Sequence, residues 1–573
     1  MEVLKHDVLV LGAGIAGLRA AIELNRASGG KLDIGILSKV QLMRAHSVCA
    51  EGGTGAVLRT EEGDSFELHA WDTVKGSDFL ADQDTVFRFV ETMPREILLL
   101  DHWGMPWSRR PDGRIDQRRF GGHSFPRATF AADKTGFFEM QTLYDTLLKY
   151  RDRVTRYSEW FVTKILMKDG RFVGLTGFDA STGEFYLLIA KALIIATGGA
   201  GRLYSFTTYS HTVTGDGLAM AYRAGMPLAD MEFIQFHPTG LIPSGILITE
   251  GVRGEGGYLL NNKGERFMER YAPGMMELAP RDIVSRAMMT EILEGRGFKG
   301  PHGLDYLLLD IRHLGAEKIN ERLPLIREVA IKYAGVDPIE APMPVRPVSH
   351  YTMGGIRTDI NGKVIGTENV WAAGEVAAAS IHGANRLGTN STAECLAYGG
   401  ITGAEAARYA LKEGALPDPP TAEAEDEEKR VFQGLLSQTG KENVYRIRME
   451  LRQTMGENMG VFRDGPRIEK ALKKIQELKE RYRDIRIEDK GRIYNTDLIM
   501  ALEVGFLLDV AEVAVTGALL RKESRGSHYR LDFPKRDDEN FLKHTIAYYT
   551  EKGPKMDYEP VRITAWKPVE RKY

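Results

Sequence analysis

The earliest residues able to do chemistry are the glycines of GAGIAG. Gly12, Gly14 and Gly17 stand at GxGxxG spacing between the strand expected over Asp7 to Leu11 and LRAAIEL, which has helical periodicity. In this strand–turn–helix setting the first glycine permits the turn and the second lets backbone N–H groups approach a pyrophosphate. The third lets helix and strand pack closely. The acid that usually holds a ribose about 20 residues further on is missing, because the second strand, LDIGIL, ends at Ser38-Lys39. A hydroxyl at Ser38 can still make a ribose or phosphate contact. Just beyond, RAHSVCAEGG at 44–53 sets a lone histidine, His46, between an arginine and the pair Gly52-Gly53. By residue type alone His46 is a structural histidine and Cys49 a small packing residue. Arg281-Asp282 in APRD reads alone as a surface ion pair.

A dinucleotide needs more of the fold than one turn. KALIIATGGAGRLY runs from a strand into a glycine-rich turn at Gly198, Gly199 and Gly201, TGDG follows at 214–217, and NVWAAGE ends in Glu375. These pieces fit one dinucleotide-binding fold interrupted by an insertion, its last strand returning near residue 370. A single GxGxxG makes no case for a second, nicotinamide-binding domain. The expected architecture is α/β. A Rossmann-like domain over 1–236 and 346–413 is interrupted by a small α+β capping domain at 237–345. ALPDPPTAEAEDEEKR, after Gly414, reads as a proline-and-acid linker. It leads into a helical domain over 414–530, where Ile468, Ala471, Leu472, Ile475, Leu478 and Tyr482 recur at helical spacing behind Pro466. A second helix is expected over 497–515, in a three-helix module. Residues 531–573 lack clear periodicity and read as an extended tail over the surface.

At 573 residues the chain is long enough for two or three domains. A formal charge of −3 offers no global attraction to nucleic acid or an anionic membrane. Two cysteines, Cys49 and Cys395, exclude a disulfide framework, a zinc site and an iron–sulfur cluster built by this chain alone. They suit a reducing compartment. Residues 1–7 run straight into a strand, so no secretory or twin-arginine leader is expected. The longest apolar runs, VLVLGAGIAGL and YLLIAKALIIA, are too short to span a bilayer. Any membrane contact is expected through a partner.

Across nearly its whole length the sequence resembles the flavoprotein subunit of the succinate dehydrogenase/fumarate reductase family, nearest to the fumarate reductase branch. The resemblance rests on SKVQLMRAHSVCAEGG, PWSRRPDG, RRFGG, DKTGF, ATGGAGR, QFHPTG, TEGVRGEGGYLLN, APRD, HYTMGG, GANRLGTNS and RKESRGSHYR. It implies FAD, attached in that family through a histidine to the 8-methyl group of the flavin ring. On the RxH–GG pattern the attaching residue is His46. Further flavin contacts are implied for Gly12, Gly14, Gly17, Ser38, Gly52, Gly53, Asp216, Glu375, Asn385 and Ser391.

The same resemblance assigns the substrate side. His237, Thr249, His350 and Arg386 resemble the groups that hold the two carboxylates of succinate or fumarate, with Phe120 packed against the four-carbon chain. Arg281 resembles the proton donor of fumarate reduction, with Glu250 and Arg253 as the relay that restores it. At a position where the family often has cysteine this chain has Val252, so activity should be insensitive to alkylating reagents there. An iron–sulfur partner subunit and a membrane anchor that exchanges electrons with quinone are implied, placing the protein peripherally on the cytoplasmic face of the cell membrane. The rival readings are L-aspartate oxidase, a soluble thiol-linked fumarate reductase and, more distantly, a flavin-dependent tRNA-modifying protein. The last would need a basic face and a nicotinamide site, and neither is apparent.

Overall fold

The structure, a computed structural model, describes residues 1–573. Its central sheet is wholly parallel, in the order Val370–Ala372, Ala192–Ile195, Val8–Leu11, Ile34–Ser38, Val154–Ser158. VLVL, ALII and VWA are buried throughout, as strands covered on both faces must be. Helix Ile15–Ser28 follows the first turn and ends at Gly29, whose left-handed φ of 61° lets its N–H reach Arg26 O and Asn25 O. It lies tightly on the long helix Asn390–Lys412. A Cβ at Gly399 or Gly403 would stand 2.7 Å from Ala16 O or Ala20 O.

The chain leaves this layer along Ile234–Leu241 and returns along Met343–Thr352, two antiparallel partners. With Leu307–Asp310 and Tyr258–Leu260 they form a four-stranded antiparallel sheet. Its apolar core, 21 buried residues between Leu241 and Val345, is separate from the other cores. This cap also carries helix Arg281–Glu291.

Helices Val444–Asn458, Gly465–Tyr482 and Thr496–Leu520 form the three-helix module. Its apolar side chains belong to the same 62-residue core as one face of the central sheet and the antiparallel strands Trp160–Lys168, Arg171–Asp179 and Phe185–Ile189. The module is therefore fused to the nucleotide layer. That fusion corrects the acidic linker: residues 421–428 are helical, and Ala424 is buried against Leu166, Leu187 and Ile189. Most of the negative charge at TAEAEDEE sits on the outer face, Glu427 alone being buried, beside Arg430, and local composition did not reveal the inner face.

The tail is extended, but it does more than cross the surface. Lys543–Tyr548 and Lys555–Pro560 pair antiparallel, and the former also pairs with Leu228–Ala229. His544 is fully buried there, with Nδ1 2.6 Å from Asp230 and Nε2 3.2 Å from Asp82.

Candidate active site

A cavity of about 580 Å³ runs from the first turn of the nucleotide layer to the inner face of the cap. Its walls include Gly12, Gly14, Ser38, His46, Gly52, Gly53, Asp216, Glu375 and Ser391 on one side and Phe120, His237, Thr249, Glu250, Arg281, His350 and Arg386 on the other. Three assigned residues lie outside the wall. Gly17 acts by packing, since a Cβ there would fall 1.9 Å from Gly12 O. Arg253 sits behind Glu250. Asn385 is a correction to its reading as a flavin contact: it is buried, donates to Gly76 O at 2.9 Å and accepts from Gln235 Nε2 at 3.0 Å. Its hydrogen bonds hold neighbouring protein groups.

The long end of the cavity suits a dinucleotide. Helices Ile15–Ser28, Asp216–Arg223 and Asn390–Lys412 all begin at it, and none has a side-chain N-cap. Uncapped helix N-termini leave N–H groups and a positive dipole end for an anion. Lys39, beside Ser38, closes the position where an acid was expected, bridging Asp216 at 2.9 Å and Glu503 at 2.8 Å. The residues present fit FAD, as a glycine-lined backbone cradle with a cation at one end.

His46 opens a short 3₁₀ turn, His46–Cys49. Its Nδ1 accepts the Ser210 N–H at 3.3 Å, and its ring stacks on Tyr209 with centroids 5.0 Å apart. Nε2 is the nitrogen without a protein partner, and burial pushes the imidazole down to about 4, so it is neutral near pH 7. Tyr209, absent from the sequence reading, fills the space left by Gly201 and donates to Glu375. Burial pushes the Glu375 carboxyl up to about 7. Cys49 and Cys395 also line the cavity, but desolvation and nearby carboxylates push both thiols up, away from the reactive thiolate.

At the other end, His237 and His350 lie on neighbouring strands with ring centroids 4.9 Å apart. Register shifts on both sides of His237 mark bulges, which re-aim side chains. His237 Nδ1 accepts the Thr239 N–H at 3.1 Å, so Nε2 carries the proton; it is buried without a partner. His350 Nδ1 is 2.8 Å from Thr208 Oγ1. Burial and the surrounding arginines hold both imidazoles well below their ordinary range. Thr249 Oγ1 accepts the Gly251 N–H at 3.2 Å, which leaves its hydroxyl proton free to donate.

Arg386 is 3% exposed, lies 4.2 Å over the Tyr351 ring and has no carboxylate partner; its Nε is buried and unpaired. Burial and Arg281 push it down to about 10, still charged near neutrality. Arg281 differs. Its Nε donates to Glu250 Oε2 at 2.6 Å and its Nη1 to Gln235 Oε1 at 3.2 Å, leaving Nη2 without a protein partner. Glu250 also accepts the Gly121 N–H at 2.5 Å and lies 3.3 Å from Arg253 Nη2. Burial opposes its ionisation, but the two guanidiniums overcome that and hold it down to about 2.

Close backbone approach makes this cluster possible. A Cβ at Gly388 would lie 2.8 Å from Glu250 Oε1 and 3.1 Å from Arg281 Nη2. One at Gly52 would lie 2.5 Å from the Phe120 ring, and one at Gly121 would lie 2.7 Å from Glu250. Gln235, which the sequence reading passed over, joins the halves: beyond Arg281 and Asn385 its Nε2 donates to Arg386 O at 2.7 Å. Its place in QFHPTG, two residues before His237, was the available signal.

The FAD binding domain family matches residues 7–392 and the fumarate reductase flavoprotein C-terminal family matches 448–573. The chain is 46% identical to the fumarate reductase flavoprotein subunit of Serratia sp., covering 100% of this chain and 97% of that one. It is 47% identical to the corresponding subunit of Mycobacterium tuberculosis, covering 99% of each. Among solved structures, a mutant of the E. coli quinol fumarate reductase flavoprotein superposes with a TM-score of 0.96 at 45% identity, over 100% of this chain and 99% of that one.

Proposed function

Because the chain belongs to the succinate dehydrogenase/fumarate reductase flavoprotein family, we propose that this cavity binds a four-carbon dicarboxylate beside FAD and interconverts succinate and fumarate. One observation carries the substrate assignment: the Arg386 Nε–H and the His237 Nε2–H are buried donors with no acceptor in the protein, and the Arg386 charge has no carboxylate beside it. An uncompensated buried cation is costly, and a carboxylate supplies the missing charge and hydrogen bonds.

FAD, when bound, exchanges hydride with one carbon of the dicarboxylate. Arg386, His350, His237 and Thr249 orient the two carboxylates, and Phe120 excludes water from the carbon chain. Arg281 Nη2 holds the proton for the neighbouring carbon. A guanidinium stays charged at rest, so it can protonate a strongly basic carbon and recover its proton through Glu250 from Arg253. His46 Nε2, neutral and unpaired, is the atom through which the cofactor would be tethered. Electrons must then leave one at a time, and two cysteines are too few for a cluster. This supports an iron–sulfur partner subunit and, through it, a membrane anchor. No helix is long and apolar enough to cross a membrane, and in this reading the chain sits peripherally on the cytoplasmic side.

Purified protein reconstituted with FAD should reoxidise a reduced dye with fumarate, and malonate should perturb the flavin absorbance. Absence of both responses sinks the substrate assignment. Acid precipitation tests the tether separately: the pellet stays yellow if His46 is bonded to flavin.

A further inference from the structure

One residue beyond Arg281, a closed ring of polar contacts ties the cap to the nucleotide layer. Arg571 Nη2 is 2.5 Å from Asp282 Oδ2 and 3.1 Å from Asp78 Oδ2. Asp282 also accepts from Arg286 at 3.2 Å, Arg286 donates to Gly526 O at 2.7 Å, and the Gly526 N–H returns to Asp78 at 2.9 Å. Asp282 and Arg286 belong to the cap helix Arg281–Glu291, whereas Asp78 follows helix Phe66–Gly76 in the nucleotide layer. Residues 571–573 touch both sides. Tyr573 packs on the cap core, while its ring lies 4.1 Å from Lys75 Nζ, which donates to Lys572 O.

The charges determine what the ring does. Asp78 and Asp282 carry like charges from opposite halves, near enough to oppose each other's ionisation. Arg571, 8% exposed, contacts both. Arg536 also meets Asp78 at 2.8 Å and Arg286 meets Asp282 at 3.2 Å, but each of these pairs with one carboxylate. Arg571 is the guanidinium in contact with both, so with it in place the two halves are drawn together and without it that bridge is lost. We propose that Arg571 is a positioning residue: it pulls the first turn of the cap helix onto Asp78 and thereby fixes Arg281 against Gly388 at the cavity. The proposal rests on Arg281 as proton donor, and its test separates the two.

In the assembled, flavin-loaded protein, Arg571→Met should lower kcat for fumarate reduction by roughly ten- to a hundredfold, the scale of an ångström's misplacement. Affinity for malonate should change less than threefold, with flavin content unchanged. Arg571→Lys should fall between, since an ammonium can hold one carboxylate firmly but lacks the fork for two. Hydrogen exchange of amides 281–291 should quicken in the methionine variant relative to the rest of the chain. Exchange reads the clamp whatever the substrate is, so a failure of the fumarate reading is visible separately. Unchanged kcat with unchanged exchange overturns the proposal. A parallel loss of kcat, malonate affinity and flavin, with exchange quickened throughout, also overturns it by showing a general loosening of the fold.

Discussion

On the nucleotide side of the cavity the contacts are made by backbone and small residues: Gly12, Gly14, Gly52, Gly53 and three uncapped helix starts. On the cap side they are made by side chains, and Arg281, Glu250, Arg253 and His237 are buried to 5% exposure or less. A backbone wall is specified by what is missing, so almost any added atom damages it. A side-chain wall is specified by partners, so chemistry can be removed there while the shape survives. Adding atoms to the glycine backbone of the first wall should cost flavin and fold; removing chemistry from the second should cost turnover alone.

The largest expected effect lies in the cap. Arg281→Gln should lower fumarate reduction by about a thousandfold or more, at the upper end of what one proton donor contributes, with flavin content and melting temperature near wild type. Steady-state assay beside flavin absorbance checks this, and retention of a tenth of the activity would erase the contrast. Next comes Gly17→Ala, whose added methyl collides with Gly12 O. Overpacking of this kind costs about 3 kcal/mol, read as lost flavin and a lower melting temperature.

A smaller effect tests the boundary between the walls. The neutral form of Glu375 is favoured by burial up to about pH 7, so its stabilising contribution is complete below the unfolded value of 4.5 and is lost as pH rises through 7. The flavin-free protein should therefore lose roughly 2 kcal/mol from this group between pH 5 and pH 7. Glu375→Gln should flatten that slope in thermal melts; an unchanged slope refutes the assignment. The smallest effect is expected of His46→Ser, which should keep FAD bound but extractable by acid. Succinate oxidation should fall by about tenfold (~1.4 kcal/mol) and fumarate reduction by less. Flavin still covalent in that variant would place the tether elsewhere.

The two walls were also unequally legible. Gly12, Gly14 and Gly17 announce themselves because backbone geometry is local, and the buried strands at 8–11, 34–38 and 192–195 follow from apolar runs. The cap cluster has no such signature. By residue type Arg281-Asp282 resembles any surface pair; what makes Arg281 exceptional is Glu250, 31 positions earlier, and the room left by Gly388, more than a hundred positions later. Only whole-chain resemblance pointed to it. The helix at 421–428 does not show in the sequence because its buried face is carried by Ala424, too small to register as periodicity, and by Glu427, an acid that reads as exposed. Tyr209, Gln235 and Lys39 escaped because their partners are remote.

The pairing of residues 543–548 with Leu228–Ala229, and of His544 with Asp82 and Asp230, bears on how the polypeptide is made. A ribosome that has released the chain as far as residue 413 has delivered every strand of the central sheet, yet Asp82 and Asp230 still lack the imidazole that neutralises them. Contacts spanning more than 300 positions cannot form until synthesis is nearly done. A nascent chain must therefore wait with Asp230 lacking its imidazole and Asp82 held by Arg357 alone, and the nucleotide layer reaches its final shape only after residue 560 has emerged.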